Sequence, residues 1–488
     1  MPVSQPLLTP RPSQTKIVAT VGPASGDPSQ LAELLHAGVD VFRVNMAHGD
    51  RGEHQARLAS IRQVSADVGR PVAVLADLAG PKIRLGELPD GQLMCDADDR
   101  VRFVADAALA AGEQPAPGVL TTTYEPLVAE LAVSDRVMLA DGTVSLVVEE
   151  LGEGYAQCRV VQPGLIRSRQ GVNLPGVKLR VPALGPADLD NAVWAAQNGV
   201  DFVGLSFVRS ADEVRQLKTL LQSHNSDARV IAKIEKPEAL DRLNEIIEAA
   251  DGLMVARGDL GVEIDIARVA MVQKEIVAAC NRFRKPVIIA TQMLDSMQHS
   301  RLPTRAEVTD VANAILDGAD ACMLSGETAV GQYPRQAVEM MHRIALATES
   351  LCGGQKAIPL PDLTIEGINQ ITEATVYAAG QMAEELGARL VVVASASGAT
   401  ALSMAKNRHL VPTLGVSDSA ATLQRMCLYW GVIPLPGAPT GDPRALLRYV
   451  TDWGRAAGLL ASADRIVLVA GTGLAVTAHN MVVVHELE

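Results

Sequence analysis

The chain has 488 residues, 48% of them hydrophobic and 20% charged, which supplies several packed cores and excludes a largely disordered polymer. Lysine and arginine number 43 against 56 acidic residues. The net charge of −13 argues against nucleic acid or an anionic membrane as partner, while leaving room for a small anion held by a few buried cations.

The Pro-rich stretch 1–14 predicts a flexible N-terminal tail without a secretory apolar segment. From Thr15 short β-branched runs alternate with stretches of helical period. The runs are KIVATVG (16–22), VDVFRVN (39–45), VAVLAD (72–77), DFVGLSF (201–207), RVIAKIE (229–235), GLMVARG (252–258), PVIIATQ (286–292) and ACMLSG (321–326). Eight such units predict an α/β protein built on a (β/α)8 TIM barrel, with reacting groups at the C-terminal strand ends. Between the third and fourth runs, residues 88–171 switch to alternating strands separated by DG and EG turns. They predict a small all-β domain inserted between barrel parts at 15–87 and 172–350. Residues 351–366 are Gly- and Pro-rich and read as a linker, and 367–488 return to alternating helices and strands, a three-layer α/β domain. No apolar run approaches the roughly 18 residues that span a bilayer. The six cysteines are scattered without disulfide or zinc spacing and read as core thiols in a reducing, cytoplasmic setting.

The expected strand ends carry many polar groups: Arg43 and Asn45, Asp77, Lys233 and Glu235, Arg257, Gly258 and Asp259, Thr291 and Gln292. Lys233 and Glu235 are two apart and so point the same way. Glu235 and Asp259 could share a hard divalent cation, most plausibly Mg2+, with Arg43 and Lys233 facing an anionic substrate. Interstrand ion pairing is the better explanation of any single pair, but not of nine polar positions clustered on five strands.

At these residues the chain closely resembles the pyruvate kinase family. The resemblance is carried by RVNMAHG (43–49), GPKIRLG (80–86), GVNLPG (171–176), VIAKIEKPEAL (230–240), MVARGDLGVE (254–263), ATQMLDSM (290–297), PTRAEVTDVANAILDG (303–318) and MLSGETAVGQYP (323–334). It implies that the inserted domain is a β-barrel lid, that the C-terminal domain is regulatory, and that the assembly is a homotetramer. It also implies transfer of the phosphoryl group of phosphoenolpyruvate to ADP, giving ATP and pyruvate, with Mg2+ or Mn2+ as cofactor. Carried over by position, Lys233 and Arg43 stabilise the transferred group and Glu235 and Asp259 hold the metal. Gly258 and Asp259 meet the substrate carboxylate through their amides, and Thr291 stands near the carbon that is protonated, more plausibly through water than directly. Asn45, His48 and Arg84 match nucleotide-contacting positions, and Ser206 reads either as a core hydroxyl or as support for the site.

The chain also departs from the family's pattern. Of the groups that hold K+ in many members, Asn45 and Asp77 remain, but Ala47 and Leu78 stand at the Ser and Thr positions and Lys82 replaces a Glu. An ammonium carries the charge of K+, so K+ is expected not to be required. Gln170 stands where a Lys for nucleotide phosphate is usual. In the C-terminal domain SASGAT (395–400) opens a helix after a strand, a setting for a phosphate cradle from Ser395, Ser397, Gly398 and Thr400, or for ordinary capping. The short, uncharged GTGLAVT (471–477) favours a sugar monophosphate or AMP as effector over fructose bisphosphate. Arg305 and Glu307 read as subunit contacts or plain capping, and Trp194, Trp430 and Trp453 as core. A metal-dependent lyase on the same kind of barrel and a catalytically dead sugar-phosphate sensor are the competing functions.

Overall fold

A computed structural model of the chain describes residues 13–105, 118–140, 142–177, 179–351, 369–471 and 480–488. Each of the eight runs becomes a strand: Lys16–Val21, Val41–Asn45, Ala73–Asp77, Phe202–Leu205, Arg229–Ile234, Gly252–Ala256, Val287–Ala290 and Ala321–Leu324. They pair in parallel, in sequence order, into a closed barrel whose first strand hydrogen-bonds both the second and the last. The runs look uniformly apolar because both faces are buried. Val18, Val41, Leu75, Ile231, Met254 and Ile288 point into the barrel, while Ile17, Phe42, Val44, Val74 and Ala76 meet the helices outside. Helix ends follow local chemistry. Asp50 caps Arg51–Val68 by accepting from the Glu53 amide, and Gly69 ends that helix at φ +69°.

The insertion forms a six-stranded sheet and a two-stranded ribbon around its own core, which includes Phe103, Leu120, Leu139 and Leu146. It is not purely β, since Leu127–Glu130 makes one helical turn. Two chain crossings join it to the barrel, and they are tied to each other: the Leu85 amide donates to Gln170 O at 2.8 Å and the Val172 amide to Ile83 O at 2.9 Å.

The C-terminal sheet has five strands, in the spatial order Val432–Pro434, Thr413–Val416, Leu390–Ala394, Arg465–Gly471 and Asn480–Glu486, with only the last antiparallel. Val391 and Val393 pack on one face against helix Gln370–Glu385, and Leu390 and Val392 on the other with Leu446 and Val450 of helix Pro443–Ala456, which makes three layers. This domain closes the N-terminal end of the barrel, where Lys16 Nζ donates to Val432 O at 2.6 Å. The expected linker, 351–366, lies outside the described residues except for Leu351, as does GTGLAVT, 471–477, except for Gly471, and Cys352 is outside them too. The other five cysteines are buried. Trp194 and Trp430 are buried and Trp453 is packed against the C-terminal core. No described helix is long and apolar enough to cross a membrane.

Candidate active site

The polar strand ends converge because the parallel register sets them side by side. Arg43 pairs with Thr20 on one neighbouring strand, and Asn45 pairs with Asp77 on the other. Next to Asp77 in register is Gly204, where a Cβ would stand 2.7 Å from Asp77 Oδ1; only a glycine leaves space for that carboxylate.

Asp77 is 1% exposed and holds two cations. Arg43 Nε donates to Oδ2 at 2.7 Å and Nη2 lies 2.6 Å from it, while Lys233 Nζ is 3.2 Å from Oδ1. Lys233 Nζ also lies 3.0 Å from Glu235 Oε1 and donates to Ser206 Oγ at 2.7 Å. Ser206 therefore supports the lysine, and it donates in turn to Leu78 O at 2.7 Å. Burial works against the Lys233 ammonium, but the Asp77 and Glu235 carboxylates outweigh it and push it up to about 12. Burial likewise works against the charge on Asp77, yet Lys233 and Arg43 hold it below the usual carboxylate value.

Glu235 behaves differently. Burial raises it, Lys233 only partly offsets this, and the nearby Asp259 carboxylate raises it further. Its other oxygen accepts the Phe207 amide at 2.7 Å. A buried carboxylate whose charge is disfavoured in this way fits a divalent cation shared with the second oxygen donor, which would relieve it. Among the described residues there is no cluster of three or more His, Cys, Asp or Glu of metal-holding geometry. A two-carboxylate site would leave coordination places for substrate oxygens, so the donor set suits Mg2+.

The structure refines two placements. The sixth strand stops at Ala256, and Arg257, Gly258 and Asp259 open the short helix Arg257–Glu263; the seventh stops at Ala290. Thr291 and Gln292 follow in the left-handed region, at φ +71° and +53°. Thr291 Oγ1 donates to Ala290 O at 2.6 Å and accepts the Gly258 amide at 2.7 Å. Lys82 is exposed and, among the described residues, has no ion pair, so it is not bonded to Asp77. Asn45 Oδ1 accepts the Ala47 amide at 3.1 Å. His48 is exposed on the rim, its pKa lowered by burial of the ring and by Arg84, Lys82, Arg43 and Arg57 around it. Arg84 Nη1 donates to Arg169 O at 3.2 Å, and Gln170 is spent in its own turn, where Oε1 accepts the Arg167 amide at 2.7 Å. A cleft of ≈ 900 Å³ separates Arg136 and Met138 of the inserted domain from Gly258, Asp259, Glu263 and Gln292 of the barrel.

In the C-terminal domain, Ser395 Oγ accepts the Gly398 amide at 3.1 Å and Ser397 Oγ the Ala399 amide at 3.4 Å, just before helix Ala399–Lys406. Gly398 sits at φ +87°, and Thr400 is half-buried on the first turn. Glu307 closes a capping box with Thr304, the capping alternative for that residue. Sequence reasoning missed Thr20, whose Oγ1 takes Arg43 Nη1 at 3.1 Å, and the bond from the Phe207 amide to Glu235. Thr20 is the last residue but one of its strand, and only the interstrand register reveals its partner.

Comparison with known proteins agrees with this architecture. Residues 12–338 match the family model for the pyruvate kinase barrel domain, and 373–485 match that for the pyruvate kinase alpha/beta domain. A pyruvate kinase of Geobacillus stearothermophilus is 39% identical over 478 residues, covering 97% of this chain and 80% of that protein. One from Bacillus licheniformis is 37% identical, covering 94% and 78%. The crystal structure of a pyruvate kinase from Cryptosporidium parvum superposes with a TM-score of 0.89 at 29% identity, covering 99% of this chain and 98% of that one. The chain belongs to the pyruvate kinase family and is a phosphotransferase.

Proposed function

We propose that this family member moves the phosphoryl group of phosphoenolpyruvate to ADP, a step of glycolysis that leaves an enolate to be protonated to pyruvate. The observation that carries the reading is the buried array of Arg43, Asp77, Lys233 and Glu235 at the barrel mouth. Phosphoryl transfer needs charge stabilisation on equatorial oxygens more than covalent help, and Lys233 and Arg43 supply it from fixed positions. Glu235 and Asp259 would hold Mg2+, which supplies Lewis-acid polarisation of substrate oxygens when bound. The Asp259 amide, and the Gly258 amide once it leaves Thr291 Oγ1, orient the substrate carboxylate, and the Thr291 hydroxyl orders the water that protonates the enolate. Asn45, His48 and Arg84 face the nucleotide, and closure of the lid over the cleft excludes water.

Several finer points belong to the same proposal. The lid spans 88–171 between barrel parts 15–87 and 172–350, and the regulatory domain spans 367–488. Lys82 takes the place of K+ electrostatically; its place among the cations that act on His48 at the rim supports this. The loop at Ser395, Ser397, Gly398 and Thr400 receives the phosphate of a sugar monophosphate or AMP, in a cytoplasmic homotetramer.

The test is pyruvate formation from phosphoenolpyruvate and ADP with Mg2+ in potassium-free buffer, repeated with KCl at matched ionic strength. High activity in both is expected. Strong activation by K+ would overturn the role of Lys82 alone, and no turnover in either buffer, even with sugar phosphates or AMP, would overturn the reading itself.

A further inference from the structure

Arg257 is the first residue of the short helix after the sixth strand, yet its guanidinium turns inward and its side chain is only 11% exposed. Nη2 donates to the Thr291 carbonyl oxygen at 2.9 Å and lies 2.9 Å from Met293 Sδ. Nη1 reaches the Asp310 carboxylate at 2.7 Å and Gln273 Oε1 at 3.3 Å. The carbonyl it grips belongs to the first of two consecutive non-glycine residues in the left-handed region, Thr291 and Gln292. Such a backbone costs of order 1 kcal/mol or more per residue and persists only where its surroundings over-determine it. Asp310 sits on helix Arg305–Leu316, and Glu307, one turn earlier, accepts the Ser296 amide at 2.7 Å and binds the Ser296 hydroxyl. Two carboxylates of one helix thus anchor the loop that follows the seventh strand, one directly and one through Arg257.

We propose that Arg257, held by Asp310, is a positioning residue that fixes the Thr291 hydroxyl for protonation of the enolate. The inference rests on the phosphoenolpyruvate reading above. In that step the terminal carbon of the enolate uses its π pair to form a C–H bond with a proton from the water ordered at Thr291 Oγ1. The C–O− group becomes the ketone, and solvent replaces the proton. Lys233 and Arg43 serve the earlier phosphoryl transfer and have no bond to Arg257, so the two halves of the reaction are separable by mutation. Misplacing the hydroxyl by about 1 Å lowers its step roughly 10²-fold.

The experiment compares two rates on the full-length protein. One is ATP formed from phosphoenolpyruvate and ADP; the other is exchange of the pyruvate methyl hydrogens with D2O in the presence of ATP and Mg2+. Arg257→Lys, which keeps the charge but loses the fork, and Asp310→Asn are expected to slow exchange roughly 10²-fold while ATP formation falls far less. Asp310→Glu should recover part of the exchange. Should Arg257→Lys fail to fold, Asp310→Asn alone decides, because its side chain is 37% exposed and tolerates the change. Exchange and ATP formation falling by the same factor, or unchanged exchange in a folded variant, would overturn the inference while leaving the functional reading intact. A wild-type protein that forms no ATP would overturn both.

Discussion

Arg43 and Lys233 take opposite oxygens of one carboxylate: Arg43 Nη2 lies 2.6 Å from Asp77 Oδ2 and Lys233 Nζ 3.2 Å from Asp77 Oδ1. Two like charges are thereby held in one buried barrel mouth, with their remaining donors directed away from the aspartate. Such an arrangement is organised before an anionic substrate arrives, which is where most electrostatic catalysis originates.

Replacing Asp77 by Asn removes the anion but keeps the shape. The two cations would repel and separate, and kcat/KM for phosphoenolpyruvate should fall by roughly 10²-fold. Breaking a buried pair from one side also costs on the order of 3 kcal/mol of stability, measurable by denaturant titration. Wild-type kinetics in the Asn variant would show that Asp77 does not organise the site.

Glu235 carries a pH signature of opposite sign to that of Asp77. Its folded pKa is raised above its unfolded value near 4.3, so its contribution to stability is best in acid and declines as pH rises toward the folded value. A bound divalent cation removes that penalty. Mg2+ at about 100 times its Kd should stabilise the protein by about 2.7 kcal/mol at pH 7.5, read as a rise in Tm, and by clearly less near pH 5. Glu235→Gln should abolish the Mg2+ shift, and a shift that survives would move the metal elsewhere.

Lys82→Glu tests the built-in cation. The variant should lose most of its activity in potassium-free buffer and regain part of it with KCl but not with choline chloride at equal ionic strength. Unchanged activity without K+ would reduce Lys82 to a solvated surface lysine.

Between the barrel and the C-terminal domain, Lys406 is fully buried, with Nζ 2.6 Å from Asp320 Oδ2, while Arg408 approaches the other oxygen at 3.1 Å. Burial pushes the lysine down to about 8, against the pull of Asp320 and with help from Arg408. Between about pH 8 and an unfolded value near 10.4, only the unfolded chain keeps the proton, so this lysine's contribution to stability rises with pH over that window. Wild type should gain on the order of 3 kcal/mol relative to Lys406→Met from pH 7.5 to 10.5. A stability difference independent of pH would mean that Lys406 has an ordinary pKa.

Ser397→Asp places a negative charge beside the Gly398 and Ala399 amides. Activation by a sugar monophosphate or AMP should be lost while basal turnover and Tm stay close to wild type, because Ser397 is exposed. Undiminished activation would locate the effector elsewhere.

The barrel was readable because eight apolar runs, each buried on both faces, recur at regular spacing, and because long stretches such as MVARGDLGVE are specific to one family. Residue type and position along each strand also brought out Arg43, Asp77, Lys233, Glu235 and Asp259. The sequence could not show where Arg257 points. A charge after the sixth strand reads as a mouth residue, and only packing reveals that it turns inward to Thr291 and Asp310. Ser206 was equally ambiguous until its hydroxyl met Lys233.

The sequence by itself determined the repeating βα order, the inserted domain and the set of charges, since periodicity and composition are local properties of the chain. The tertiary structure alone decided which charges meet. The shared carboxylate of Asp77 and the space left by Gly204 depend on interstrand register, and the left-handed turn at Thr291 on the packing of Arg257 and Asp310 against it. Register is fixed by closure of the whole barrel, so it is carried by no single segment.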